Sequence, residues 1–295
     1  MATILGIIFT MLWASASIAT KFGIVSTTPL TLALLRFAIT GFLLFMFIHI
    51  IKCEALPKRS HWRALFLLGL LNTTIYLGAT FWALQYVSAG LFNLFVTVNP
   101  FIVALLSYIW LRRPFDYREW MGMGIAATGL IIATYPSLIT SKASLTGIIV
   151  LTIGMLAMAI GSVYFSKVKL DLPSLTINTW QILIGGILLL PVAYFTERKH
   201  FFIVWDFHLF GALFWLTIII SVFTMLLWFY LLKTDPVKAN NWLFLTPVFG
   251  YLFAWLLLGE KITLYDIIAT LLIIFGLFLS GNISFHKTTN VKETT

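Results

Sequence analysis

The chain has 295 residues, 61% of them hydrophobic and 10% charged, with a mean hydropathy of +1.01, whereas soluble domains average about 45–50% apolar and about 25% charged. So few polar side chains do not cover a water-facing surface, which excludes a soluble enzyme or binding module and leaves little sequence for a catalytic domain. The formal net charge of +9 comes from 19 Lys and Arg against 10 Asp and Glu, and the basic residues sit in short clusters between apolar runs, as in cytoplasmic loops of a membrane protein rather than on a nucleic-acid-binding face.

A span takes about 20 mainly apolar residues. Breaks rich in charge, Pro or Ser/Thr predict ten of them, near 3–25, 29–51, 62–83, 89–111, 118–136, 145–167, 173–196, 207–232, 237–258 and 263–284. The residues Met1-Ala2-Thr3-Ile4 lack the basic region of a signal peptide, so the first apolar run reads as a retained span. The eighth begins late, behind Trp205-Asp206-Phe207-His208. With the N-terminus inside, thirteen Lys and Arg fall on the inner side and five on the outer, while Arg36 lies within a span. That bias predicts N-in, C-in and an even number of spans, in the inner (plasma) membrane of the cell.

The chain also resembles itself. Segment 83–134 lies on 230–281 at one constant offset, which sets Pro100 on Pro247, Asn93 on Asn240, Glu119 on Asp266 and Gly129-Leu130 on Gly276-Leu277. A slightly smaller offset sets Pro29 on Pro173 and Gly41 on Gly185. The expected architecture is an all-α integral membrane protein made of two five-helix units, 3–136 and 145–284, with a short cytoplasmic tail, 285–295. Five is odd, so the second unit enters the membrane upside down. Inverted repeats of this kind place a transport site at the midplane between the halves.

Several motifs add a family resemblance. The opening Trp13-Ala14-Ser15-Ala16-Ser17-Ile18-Ala19-Thr20-Lys21 is followed by Pro29 and Leu34-Leu35-Arg36-Phe37. Ala83-Leu84-Gln85-Tyr86-Val87-Ser88-Ala89-Gly90 precedes Pro100, and Leu258-Gly259-Glu260-Lys261 ends the ninth span. In this order, over residues 4 to 284, they resemble the EamA family of the drug/metabolite transporter superfamily. Trp110-Leu111-Arg112-Arg113 departs from the family's usual Gly-Glu ending. The resemblance implies ten helices in two inverted repeats, and transport of amino acids, other small metabolites or drugs, often as export.

Polar side chains inside spans are the candidate site residues, because an ionisable group at the bilayer centre costs about 2.5–3.5 kcal/mol or more. Arg36 stands seven residues beyond Pro29, about 10 Å along a helix. It reads either as a fixed cation for a substrate carboxylate or as a structural Arg bonded to carbonyls, Glu197 or Asp206. Asn72 and Tyr76 share a face of the third helix, and Asn93 and Asn99 lie on the fourth, where Pro100 removes a helical donor at midspan. Trp13, Tyr164, Trp228 and Trp242 lie deep or beside the helices expected to form a cavity and complete the candidate substrate-binding set. Asn178 and Gln181 read as interhelical glue.

All ten acidic residues and all five histidines fall at helix ends, in loops or in the tail. Coupling through a buried carboxylate is therefore not expected. Cys53 is the one cysteine, and no phosphate loop, HExxH or nucleophile elbow is present, so neither metal, cofactor nor enzymatic chemistry is expected. The expected protein is a secondary transporter, monomer or homodimer, in the lipid bilayer. It moves small metabolites, foremost amino acids and outward, by alternating access with facilitated diffusion or exchange. The rival readings are a proton-coupled drug/metabolite exporter, a passive channel and an intramembrane lipid-modifying enzyme.

Overall fold

The computed structural model of the chain describes residues 2–111, 116–139, 143–168, 170–234, 242 and 245–279, with backbone alone for residues 2, 3, 111, 228, 229 and 232–234. Among these residues it is a bundle of helices joined by short connections. Eight helices are long and apolar enough to cross a membrane: α1 Ile4–Gly23, α2 Pro29–Ile51, α3 Arg59–Ala83, α4 Ala89–Trp110, α5 Tyr117–Ile139, α6 Leu145–Val168, α7 Ser174–Glu197 and α8 Phe207–Leu227. The α8 helix runs on to Thr234. Two shorter apolar helices follow, α9 Thr246–Leu258 and α10 Leu264–Leu279. Much of the expected start of the ninth span, including Asn240, lies outside the described residues, as do Arg112, Arg113 and the tail.

The helices pair across the two halves of the chain. The α2 helix packs on α7, α4 on α9 and, over the longest seam, α5 on α10. That seam is made of small residues. Gly122, Ala126, Gly129 and Ala133 of α5 face Ala269, Ile273 and Gly276 of α10. In lipid no hydrophobic drive pushes helices together, so close backbone approach supplies the attraction, and glycines permit it. A methyl group at Gly276 would meet the Gly122 carbonyl oxygen at 2.5 Å, and one at Gly129 would meet the Ala269 carbonyl oxygen at 2.9 Å.

Carboxylates at the helix ends supply the caps. An α-helix leaves its first N–H groups without partners. Glu197, at the end of α7, accepts hydrogen bonds from the backbone N–H of Leu30 (2.7 Å) and Thr31 (3.0 Å) and from the hydroxyls of Thr28 and Thr31, closing the start of α2. At the far end of the same pair, Glu54 accepts the Thr176 hydroxyl at 2.8 Å, in the first turn of α7. Glu260, just beyond α9, takes the N–H groups of Ala89 (2.9 Å) and Gly90 (3.2 Å) at the start of α4.

Glu54 and Glu260 are delivered by the same local turn. Each follows a residue in the left-handed region, Cys53 (φ 53°) and Gly259 (φ 66°). Each donates its own N–H to the carbonyl six residues back, Ile48 at 3.0 Å and Ala254 at 3.1 Å, the closing bond of a glycine-type helix stop. Glycine adopts this conformation freely, whereas a Cβ in the left-handed region costs about 1–2 kcal/mol. Cys53→Gly is therefore expected to stabilise the protein by roughly 0.5–1 kcal/mol after the extra unfolded-chain entropy of glycine, seen as a raised melting temperature in detergent. Glu197→Ala is expected to cost about 2–4 kcal/mol, because it strands buried N–H and hydroxyl donors at once. A thermal melt of the purified variant checks it.

Asp206 caps α8 by accepting the Leu209 N–H at 3.0 Å and ties it to the α1–α2 connection by accepting the Ser26 hydroxyl at 2.6 Å. The Ser26 bond, followed by that of Leu209, holds its carboxyl down to about 2, so this link stays charged through the neutral and mildly acidic range.

The α3 and α8 helices share a second irregularity. Residues Gly69–Leu77 of α3 and Trp215–Thr224 of α8 are wound as π-helix, with hydrogen bonds to the fifth residue back. Both stretches set a hydroxyl within reach of the carbonyl five residues back: Ser221 donates to that of Leu216 (2.8 Å), while Thr74 lies 3.4 Å from that of Gly69 and makes its shorter bond to the Gly185 carbonyl of α7 (2.9 Å). These two pairs correspond at the same offset that sets Pro100 on Pro247. Wide turns of this kind cluster at functional sites, and both open onto the cavity described next.

Candidate functional site

A cavity of about 360 Å³ lies within the bundle, a size within the range of small-molecule sites. Trp13, Ser17 and Thr20 reach it from one face of α1, at the spacing of successive helical turns. Arg36 comes from α2, Asn72, Tyr76 and Phe81 from α3, Phe92 and Asn93 from α4, Ser162 from α6, Asn178 and Gln181 from α7, and Ser221 from α8. The wall combines aromatic and aliphatic faces with neutral polar groups.

Arg36 is the charged member of this wall among the described residues. Its Nε and Nη2 donate to the Ser221 hydroxyl at 3.3 and 3.1 Å, and its guanidinium carbon lies 5.7 Å from the centre of the Phe81 ring. Neither Glu197 nor Asp206 is its partner. Glu197 is spent on the start of α2, and Asp206 on Ser26 and α8. A guanidinium offers five N–H donors in a planar fork suited to carboxylate, and Ser221 takes up two of its nitrogens. The Ser221 hydroxyl is fixed for this task because its proton goes to the Leu216 carbonyl inside the π-helical stretch.

The same wall carries a chain of amides. Asn72 donates to the Gln181 side-chain oxygen at 3.3 Å, and Gln181 donates to that of Asn178 at 2.9 Å. The Nδ2 group of Asn178 is buried and has no hydrogen-bond partner among the described residues. Gly161 makes room for the Asn72 amide, since a methyl group there would overlap it. Asn93 is held more firmly. It donates to the Ser17 hydroxyl (2.8 Å) and the Ala89 carbonyl (2.9 Å), and Gly250 of α9 lies against it.

The sequence candidates are thus distributed as follows. Trp13, Arg36, Asn72, Tyr76 and Asn93 surround one cavity. Asn99 instead donates to the Met155 carbonyl at 3.1 Å and ties α4 to α6. Tyr164 packs among Leu65, Leu68 and Ile177, where α3 meets α7. Trp242 packs on Phe9 and Trp13, accepts the Thr10 hydroxyl on its carbonyl at 2.8 Å and rests against Gly6. The Trp228 side chain lies outside the described residues. Ser17, Thr20, Ser162 and Ser221 were missed as wall residues. The signal for Ser221 was its correspondence with Thr74 at the offset that sets Pro100 on Pro247. Ser17 and Thr20 shared a face with Trp13.

A second, larger pocket of about 740 Å³ begins at the next residue of α1, Lys21, and is lined by Tyr86, Tyr251, Glu260 and Asp266. There the Tyr251 hydroxyl donates to Asp266 at 3.1 Å. Its acids are already engaged in capping, Glu260 on α4 and Asp266 on the Thr263 N–H and hydroxyl. Among the described residues no group of His, Cys, Asp and Glu is placed to hold a metal.

Comparison with known proteins fixes the family. The model of the EamA-like transporter family matches residues 1–135 and 145–282. The chain belongs to the EamA-like transporter family. It is similar to the uncharacterized transporter YoaV of Bacillus subtilis, 26% identical over 280 residues that cover 94% of this chain and 95% of YoaV. It is also similar to an uncharacterized transporter of Archaeoglobus fulgidus, 27% identical over 90% of this chain and 94% of that one. A crystal structure 16% identical in sequence has the same fold, with a TM-score of 0.63 over 95% of this chain and 98% of its own. The EamA chain described here is accordingly a multi-pass membrane protein of a transporter family.

Proposed function

We propose that this EamA protein carries small carboxylate-bearing metabolites, a class that includes both amino acids and hydroxy acids, across the inner (plasma) membrane by alternating access, in the outward direction and without a proton-coupling carboxylate. The observation that carries the reading is Arg36, a cation at the wall of a cavity within the bundle, bonded to Ser221 and to no described acid. The mobile framework is two inverted five-helix repeats, N-in and C-in. The paired π-helical stretches of α3 and α8, the reciprocal Glu54 and Glu197 caps of the α2–α7 pair and the glycine seam of α5 and α10 all support this two-fold relation. Rocking of one repeat against the other opens the cavity to each side in turn.

Uptake of a labelled panel of amino acids and other small carboxylates into proteoliposomes, empty or preloaded, with and without a pH gradient, tests the proposal. Saturable uptake stimulated by preloaded substrate and indifferent to the gradient supports it. Uptake driven by the gradient contradicts the coupling mode, and linear, unsaturable flux would replace the carrier by a channel.

A further inference from the structure

The charge balance of the cavity narrows the class of solute further, an inference that rests on the transport reading just given. Among the described wall residues Arg36 carries the one formal charge, and the other ionisable group, Tyr76, is a phenol. Lys21 and Glu260 line the neighbouring pocket instead. The hydroxyls of Ser17, Thr20, Ser162 and Ser221 donate to carbonyls of their own helices, at Ala14, Ala16, Met158 and Leu216. Their lone pairs therefore solvate a donor, but they leave the sum of charges unchanged.

We infer that the solute is a net monoanion, a carboxylate without an ammonium group, and that it moves by exchange against another such anion. A zwitterionic amino acid adds no net charge, so the closed, loaded cavity would still hold +1. A monoanion brings that sum to zero. The empty carrier must close on a guanidinium whose outward donors have lost water, and an unpaired charge in hydrocarbon is the costly state. Empty return is then the slow step, and an anion on the far side removes it. The aromatic faces of Trp13, Phe81 and Phe92 in the same wall suit an apolar substituent on the solute.

The experiment compares pairs that differ in the ammonium group alone: labelled lactate against alanine, and phenyllactate against phenylalanine. Uptake is measured into proteoliposomes of the full chain, empty or preloaded with the unlabelled hydroxy acid. A hydroxy acid is expected to enter at least about tenfold faster than its amino acid. Preloading is expected to raise its rate by up to about 100-fold, the factor to which the cost of an unpaired charge in a bilayer corresponds. In Arg36→Lys the stimulation persists at a higher KM, because the charge is kept. In Arg36→Gln the stimulation falls to about onefold, because an uncharged cavity closes empty as readily as loaded. Equal or faster entry of the amino acids would overturn the net-anion inference while leaving the carboxylate reading intact. Hydroxy-acid uptake indifferent to preloading would overturn exchange. Absence of flux for both members of both pairs, from protein that elutes as a single folded species, would overturn the carboxylate reading itself and this inference with it.

Discussion

Arg36→Gln is expected to lower carboxylate uptake, measured as initial rate over concentration, by about 10- to 100-fold. Hydrogen bonds to charged groups contribute about 1.5–3 kcal/mol each, and about 1.4 kcal/mol corresponds to a factor of ten. Gln keeps one N–H₂ group at the level of the Arg36 Nε, so it can still reach the Ser221 hydroxyl, which accepts from that Nε at 3.3 Å. What it lacks is the charge and the second arm of the fork. The loss falls on KM for carboxylates, and melting temperature is expected to stay level or rise, because the variant removes from the bundle a cation that no described acid pairs. A strongly destabilised variant would instead mark Arg36 as structural.

Gly276→Val is expected to have the largest effect on folding. Its Cβ would sit 2.5 Å from the Gly122 carbonyl oxygen and 3.2 Å from the Ala126 nitrogen, so backbone rather than a flexible side chain blocks it. The α5 and α10 helices must then separate along their whole seam. Overpacking a tight contact costs about 1–3 kcal/mol where side chains can yield, and rigid backbone gives less. A drop in melting temperature of roughly 5–10 °C, with lower yield of monodisperse protein, is the expected result. Wild-type stability would show that the two helices do not meet in the membrane.

The long helices were legible because hydrocarbon imposes one rule: about 20 apolar residues, with charge outside. That rule located Pro29 at the start of α2 and Arg36 inside it. The repeat offset, read from prolines and glycines, also picked out Gly129 and Gly276, which the structure places in one seam. Much of the cavity wall followed from polarity within spans, as with Asn72, Tyr76 and Asn93. Polarity alone did not say which way a side chain turns. Asn99 satisfies a carbonyl on α6, and Tyr164 and Trp242 fill packing gaps. The π-helical windings left no mark in composition, since a wide turn uses the same apolar residues as an α turn. The capping acids looked like loop residues because their partners, such as Leu30 and Thr31 for Glu197, lie far away in sequence. The Glu260 cap of α4 has no acidic counterpart at the other end of that helix, where Arg112-Arg113 stands outside the described residues.

The most direct test is whether a transported carboxylate occupies the Arg36 cavity. Ser162 lines the cavity from α6 and bonds nothing beyond its own helix in the bonds described, donating to the Met158 carbonyl at 2.8 Å. Ser162→Cys in a Cys53→Gly background places a single thiol on the wall, and its rate of alkylation by a small maleimide can be followed in proteoliposomes. A carboxylate taken up by the wild type is expected to slow this alkylation in proportion to its occupancy, and Arg36→Gln is expected to abolish the protection. Alkylation unchanged by a carboxylate that the same vesicles demonstrably transport would contradict it.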